Sequence, residues 1–173
     1  MIEIREAVIE DAAALINLRK CLFRETQYLL LEPDEYSPSV ESEAGFIKSF
    51  IASNNSSIFL AFNENSKLIG FMGVAGGATI RTKHKATVFM GILQSYWGKG
   101  IGRRLFEFLF VWAKSSKLIR LELTTALKNK RAFSLYQSVG FQKECIKIKN
   151  IIINNEPVDE YQMFYILPSR YRN

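Results

Sequence analysis

Three glycines at alternate positions, set between an apolar run and a helix-like stretch, constrain this chain more than any other feature. They are Gly98, Gly100 and Gly102 in the segment QSYWGKGIGRR, which spans residues 94–104. The apolar run before them, KATVFMGIL (85–93), predicts a strand. The apolar residues after them recur at helical spacing and predict one buried helix face: Ile101, Leu105, Phe108, Leu109 and Trp112. Together these features predict a strand, a tight turn and a helix.

A turn of this kind is suited to binding an anion. The first N–H groups of a helix lack intrahelical partners, and the helix dipole makes that end positive. Because glycine has no Cβ, an oxyanion can approach these N–H groups, and a phosphate or pyrophosphate is the expected ligand. Lys99, Arg103 and Arg104 add positive charge. A plain loop without a ligand is the alternative. Rossmann and Walker A motifs do not match, since the spacing is G-x-G-x-G and no Gly-Lys-Ser/Thr follows.

The charge of the chain is segregated, although its composition is ordinary for a globular protein. The 173 residues carry a net charge of +6 and are 48% hydrophobic, which fits one domain over residues 1–173. Residues 99–131 hold nine Lys or Arg against two Glu, whereas residues 24–45 hold six acids against one Arg. The basic residues surround the glycine turn and do not form a stripe with stacking aromatics. A compact anion is therefore favoured over nucleic acid.

The sequence predicts a cytoplasmic protein without a membrane segment or a metal site. Its apolar runs are too short to cross a bilayer, and the segment MIEIREAVIEDAA is acidic where a signal peptide is basic and then apolar. Cys21 and Cys145 lie far apart without metal-type spacing, so we expect reduced thiols.

The remaining patterns predict the element order β-α-α-β-β-β-α-β-α-β-β. Asn129 is placed to cap the last helix and Gly140 to end it. The predicted fold class is α/β (α+β), with a single mixed, mostly antiparallel, twisted sheet of about seven strands flanked by about four helices. The predicted strands are 2–5, 57–62, 68–75, 85–93, 118–125, 141–149 and 161–167, and the predicted helices are 11–22, 42–53, 101–112 and 129–139.

Two motifs in this order resemble the GNAT superfamily of N-acetyltransferases. The first, YWGKGIG (96–102), is similar to the acetyl-CoA pyrophosphate loop of that family. The second, NKRAFSLYQSVGF (129–141), is similar to its final helix and strand, with the predicted strand 118–125 between the two motifs. The tail 158–163 also resembles the last strand of bacterial members. One departure is Trp97, where the family usually has Gln or Arg.

The resemblance implies acetyl-CoA as the acetyl donor and a splayed pair of central strands that admits it. The pantetheine arm would pair with the backbone at the end of the strand before the loop, and N–H groups of the loop would bind the pyrophosphate. The implied cofactor-binding residues are Ile92, Leu93, Gln94, Trp97, Gly98, Lys99, Gly100, Ile101, Gly102, Arg103, Asn129 and Tyr136.

The resemblance also gives Tyr136 a catalytic role. Its phenol is protonated at neutral pH and would act as the general acid toward the departing CoA thiolate. Asn129 lies two helical turns earlier on the same face. Each residue has a structural alternative, with Asn129 as an N-cap and Tyr136 as a core aromatic. We expect a backbone N–H near Leu93 to hold the oxyanion.

The general base is not evident from the sequence. Many relatives carry a Glu early in the strand before the loop, but residues 86–88 of this chain are Ala, Thr and Val. Glu122 on the following strand is the catalytic candidate, and a solvated sheet face is its alternative. His84, in the basic turn RTKHK, is a weaker candidate because such residues are usually at the surface.

The predicted function is direct transfer of the acetyl group from acetyl-CoA to a primary amine of a small molecule or protein. A CoA-binding sensor without catalysis is the alternative. In the family the first two helices and the final hairpin wall the acceptor site, so the acids between Glu25 and Glu43 predict a cationic acceptor. The expected partners are acetyl-CoA and this amine, with no nucleic acid and no membrane, and a homodimer is left open.

Overall fold

The elements of the fold follow the predicted order. A computed structural model describes residues 2–168, so the ends of the predicted domain, Met1 and residues 169–173, lie outside the described residues. The strands are β1 (Glu3–Glu6), β2 (Ser57–Phe62), β3 (Leu68–Gly76), β4 (Lys85–Ile92), β5 (Arg120–Ala126), β6 (Gln142–Ile153) and β7 (Glu156–Ile166). The helices are α1 (Ala12–Glu25), α2 (Val40–Ile51), α3 (Ile101–Ala113) and α4 (Lys130–Ser138), with short 3-10 turns at Ile9–Asp11, Pro33–Glu35 and Gln94–Tyr96.

All seven strands form one sheet in the order β1-β2-β3-β4-β5-β7-β6. Every neighbouring pair is antiparallel except β4 and β5, which run parallel. A parallel pair needs a crossover connection, and α3 supplies it between β4 and β5. The predicted fold class, a mixed and mostly antiparallel sheet with four helices, is confirmed.

The helices pack on both faces of the sheet. The Phe89 ring of β4 meets Phe50 of α2 with centroids 6.5 Å apart, and the Phe59 ring of β2 meets Trp112 of α3 at 5.6 Å. Successive strand residues point to opposite faces, so β2 is buried at every position. None of the helices within residues 2–168 is long and apolar enough to span a membrane.

The final hairpin is longer than predicted. Strand β6 runs to Ile153 and β7 begins at Glu156, so the turn contains only Asn154 and Asn155, both at positive φ. A register shift between Lys147 and Ile151 breaks the alternation that would have revealed the longer strand. Pro157 fits within β7 because β5 pairs only with residues 160–166, and the proline lies beyond that stretch.

The second helix begins earlier than predicted. It starts at Val40 and not at residue 42, because the Ser39 hydroxyl accepts a hydrogen bond from the Ser42 N–H at 3.1 Å and caps the first turn. The first helix continues three residues past its predicted end at Leu22, to Glu25. This extension brings Glu25 to the end of β4, where it contacts the glycine turn region.

Candidate functional site

Strand β4 is paired along one edge and open along most of the other. Its β3 edge is in register from Ala86 to Ile92. Its β5 edge is in register at three positions only, from Lys85 opposite Arg120 to Thr87 opposite Glu122. Beyond Thr87 the two parallel strands diverge. We call the resulting gap between β4 and β5 the splay, and it is the splayed central pair that the resemblance implied.

Backbone groups of Ile92 face the splay. The Leu93 N–H points the other way and donates to the Ile69 carbonyl of β3 at 3.0 Å. The carbonyl of a trans peptide points opposite to its N–H, so the Ile92 carbonyl is directed into the splay, together with the N–H of the same residue. The N–H group near Leu93 that is open to a ligand is therefore that of Ile92, because the N–H of Leu93 is already bonded.

The three glycines are needed for two different reasons. Gly98 and Gly100 have φ values of +74° and +77°, and a Cβ on either would meet no protein atom within 4 Å. They supply the left-handed backbone and leave open space above it. At Gly102 a Cβ would lie 2.6 Å from the Leu135 side chain of α4. The missing Cβ of Gly102 therefore allows α3 to pack against α4, a packing role that the sequence did not predict.

The first turn of α3 presents unpaired N–H groups. The first intrahelical bond runs from the Arg104 N–H to the Gly100 carbonyl, so the N–H groups of residues 101–103 point out of the helix end. Gly100 offers no side-chain cap, and the first turn contains no acid. Arg103 is exposed beside this end, whereas the Arg104 guanidinium is bonded to the Ile2 carbonyl at 2.7 Å. The end of α3 is therefore a positive site open to an anion.

Trp97, the residue that departs from the family pattern, connects three parts of the site. Its indole Nε1 donates to the Ile92 carbonyl at 2.7 Å. Its ring lies under the guanidinium of Arg131 from α4, at 4.7 Å from the centroid. The neighbouring Tyr96 bonds through its hydroxyl to Asn63 at 2.8 Å and lies 4.7 Å from the Lys99 ammonium. These contacts hold the head of the loop against β4.

Helix α4 carries the two predicted residues of the second motif. Asn129 caps the helix, since its Oδ1 accepts the Ala132 N–H at 3.2 Å. Tyr136 is 9% exposed and packs edge-on against Phe106 with centroids 5.9 Å apart. Burial raises the pKa of Tyr136 to about 12. The hydroxyl is therefore protonated throughout the neutral range.

Glu122 and His84 lie at the paired end of β4 and β5, away from the splay. The Glu122 carboxylate is bridged to Lys85 at 3.2 Å and to Arg120 at 2.7 Å. Burial opposes its ionisation, but the hydrogen bonds from Arg120 and Lys85 outweigh burial and lower its pKa. His84 is exposed, and its carbonyl accepts the N–H groups of residues 119 and 120. The structure does not bring either residue together with the glycine loop.

A cavity of about 390 Å³ lies beside the loop, between the end of α1 and Trp97. The Glu25 carboxylate at its edge accepts the Gln94 N–H at 2.7 Å. The hairpin turn reaches the same region, because Asn154 donates to the Gln27 side chain at 2.7 Å. No sequence pattern signals the contact of Glu25 with Gln94, since the two residues are 69 positions apart. The cavity is lined by Phe23, Arg24, Glu25, Thr26, Gln27, Tyr28, Leu29, Leu31, Glu32, Pro33 and Trp97.

Not every acid of the segment 24–45 reaches this cavity. Glu43 is 3% exposed and is held by Arg19 at 3.1 Å and by the Tyr36 hydroxyl at 3.1 Å. Its charge is neutralised inside the wall formed by α1 and α2. Among the six acids only Glu25 and Glu32 line the cavity, which narrows the predicted acidic surface to two carboxylates.

Known proteins share both the motifs and the fold. The model of the acetyltransferase (GNAT) family matches residues 16–141. The N-alpha-acetyltransferase RimI of Mycobacterium tuberculosis is 29% identical over 139 residues, 80% of each chain. A GNAT-family acetyltransferase from Streptococcus pneumoniae is 30% identical, with a TM-score of 0.92 over 97% of this chain and 100% of its own. The spermidine N-acetyltransferase of Vibrio cholerae, solved with CoA and spermine, has the same fold at 20% identity, with a TM-score of 0.76 over 96% of this chain and 95% of its own.

Proposed function

The chain belongs to the acetyltransferase (GNAT) family and is an acetyl-CoA-dependent N-acetyltransferase, and we propose that it acetylates a cationic primary amine bound in the cavity beside Trp97. The observation that carries this proposal is the position of that cavity. Two of its lining residues reach the end of β4, since Trp97 is bonded to the Ile92 carbonyl and Glu25 to the Gln94 N–H. The donor and acceptor sites would therefore meet at the head of the glycine loop.

On the donor side, the diphosphate of acetyl-CoA would bind at the N-terminus of α3. The open space above Gly98 and Gly100 fits such a group, because a Cβ at either position would occupy it. The N–H groups of residues 101–103, together with Lys99 and Arg103, supply hydrogen bonds and positive charge. The extended arm of the donor would pair with the free backbone groups of β4 at the splay, as an added strand does.

Tyr136 would stabilise the departing thiolate. A phenol with a pKa of about 12 remains protonated and can donate a hydrogen bond to sulfur. Full proton transfer to a thiolate whose conjugate acid has a pKa of about 8.5 is uphill. We therefore assign Tyr136 the role of a hydrogen-bond donor that lowers the barrier to thiolate departure. A backbone N–H on the open edge of β4 would donate to the oxyanion.

On the acceptor side, Glu25 would attract the protonated amine and take up its proton. One carboxylate oxygen is fixed by the Gln94 N–H, which leaves the other oxygen to face the amine. Glu122 is a poor base, since two cations hold its pKa low. The names of two relatives support an amine acceptor, since RimI is an N-alpha-acetyltransferase and the Vibrio cholerae enzyme is a spermidine N-acetyltransferase.

We also propose a cytoplasmic location and a homodimer. Cys21 and Cys145 are both exposed free thiols, which suits a reducing compartment. Strand β6 forms one edge of the sheet and carries exposed Ile146, Ile148 and Ile152, which a second copy would cover in a homodimer.

The acceptor is tested by thiol release from acetyl-CoA in the presence of spermidine, linear diamines and short peptides with free N-termini. Glu25→Gln should raise the KM of the preferred amine by about tenfold, because it removes one charge-assisted hydrogen bond, and should also lower kcat, because it removes the group that takes up the proton. Asp34→Asn is the matched control, since Asp34 is an exposed acid of the same segment outside the cavity. Equal KM values for both variants would contradict the role of Glu25, and donor binding without thiol release would favour a sensor.

A further inference from the structure

Trp97 and Glu25 are bonded to two nearby backbone groups, one at the last residue of β4 and one just after it. The Trp97 indole N–H is bonded to the Ile92 carbonyl, and the Glu25 carboxylate is bonded to the Gln94 N–H, both at 2.7 Å. These side chains come from different elements. Both bonds lie past Thr87, where β5 has already separated from β4.

The two bonded groups belong to the same potential pairing site. In a parallel ladder, a residue of the added strand accepts from one N–H and donates to the carbonyl two residues earlier. The Gln94 N–H and the Ile92 carbonyl form one such site, and it is blocked at both atoms. The Ile92 N–H and the Met90 carbonyl form the preceding site, which faces the splay beyond the last β4–β5 pair.

We propose that Trp97 is a positioning residue that sets the register of the donor arm along β4. By holding the Ile92 carbonyl, the indole confines an amide-bearing arm to the site formed by Ile92 and Met90. A shift of the arm by one pairing site would move the thioester two residues along β4, away from Tyr136 and the other groups that would act on it. The guanidinium of Arg131 lies on the indole ring and keeps it over β4. This inference rests on the proposed donor site.

Three variants separate this role from simple structural support. Trp97→Phe keeps a ring under Arg131 but has no N–H, and Trp97→Gln has an N–H donor but no ring. Trp112→Phe makes the same change on α3, where Trp112 packs on Phe59 away from the splay. Each protein is titrated with acetyl-CoA labelled with 13C at the thioester carbonyl, which reports the carbonyl environment without any acceptor.

The Trp97→Phe variant should bind acetyl-CoA within about threefold of the native affinity, with a shifted or doubled carbonyl resonance and turnover at least about tenfold lower, since small displacements of reacting groups are costly. Trp97→Gln should restore the native resonance, and Trp112→Phe should leave it unchanged. A native resonance in Trp97→Phe would overturn the inference, as would parallel losses of affinity, turnover and thermal stability. Absence of acetyl-CoA binding to the native protein would instead refute the donor site itself.

Discussion

The two edges of β4 differ in how far they are paired with a neighbouring strand. Along the β3 edge the strand is paired from Ala86 to Ile92, and along the β5 edge it is paired only from Lys85 to Thr87. Strand β5 is in the same situation, because all seven of its residues pair with β7 on the far side. The splay therefore lies between two strands that are each paired along the outer edge, β4 with β3 and β5 with β7.

This difference separates the energetics of folding from those of binding. Unpaired backbone groups inside a protein are costly, so a strand edge is left open only where a ligand or water satisfies it. Here the paired edges stabilise the sheet, and we propose that the open edges present backbone groups to acetyl-CoA. Substitutions on the two sides should consequently change different measured quantities.

The largest effect is expected on the paired edge. Met72 of β3 is fully buried and lies opposite Met90. Met72→Ala should lower the free energy of unfolding by about 2–5 kcal/mol, because it leaves a cavity in the core. Urea unfolding measures this loss, and acetyl-CoA affinity of the folded variant should change less than about twofold. A large loss of affinity without a loss of stability would break the proposed division between the edges.

The glycine loop should show the opposite pattern. Gly100→Val introduces a branched Cβ at a φ of +77° and fills the space above the loop, so acetyl-CoA affinity should fall by about 100-fold or more. Gly45→Ala in α2 is the matched control, since Gly45 also has open space but no positive φ. The control should bind acetyl-CoA with native affinity, and its free energy of unfolding should rise by up to about 1 kcal/mol. Native affinity in Gly100→Val would exclude this loop as the donor site.

Loss of the Tyr136 hydroxyl should affect turnover alone. Tyr136→Phe keeps the ring packed against Phe106 and should lower kcat by about 100-fold, the low end for a proton donor, because hydrogen bonding and not full transfer is expected. The dissociation constant of CoA should remain within about threefold. Stopped-flow thiol release and equilibrium titration give the two values. Equal kcat in the variant and the native protein would leave Tyr136 as a core aromatic only.

The smallest effect is expected at the paired end of the splay. Glu122 has a lowered pKa, so its ionised form stabilises the fold at neutral pH, and this contribution is lost as the pH falls through the folded-state pKa. Glu122→Gln should lower the free energy of unfolding by at most about 1 kcal/mol at pH 7, and should not change it once the native carboxyl is protonated. Unfolding curves across acidic pH test this. A strong loss of turnover with native stability would restore Glu122 as the catalytic base.

Local patterns in the sequence were sufficient to predict the fold and the strand, turn and helix around the glycines. The strand 85–93, the glycines and the apolar face of α3 are contiguous, so their periodicity reports their structure directly. The N-cap role of Asn129 was likewise readable, because an N-cap acts within its own first turn. The longer final hairpin was missed, since a register shift removes the alternation that reveals strands.

Contacts between distant segments could not be predicted. The bonds from Glu25 to Gln94 and from Trp97 to Ile92 depend on how α1 and the loop head approach β4 in three dimensions. The pairing of Glu122 with Lys85 depends on the β4–β5 register, which one strand does not encode. The residues that we propose hold and orient the substrates were for this reason less predictable than the glycine loop.

Residue-resolved amide hydrogen exchange with and without acetyl-CoA tests the central claim most directly. The N–H groups of Ile92 and of residues 101–103 should exchange at least about tenfold more slowly with the donor bound, because they gain hydrogen-bond partners at the splay and at the α3 end. The Leu93 N–H is already bonded to Ile69 and should change little beyond the global stabilisation. Uniform protection across both edges of β4, or none at Ile92 and the α3 end, would contradict the account.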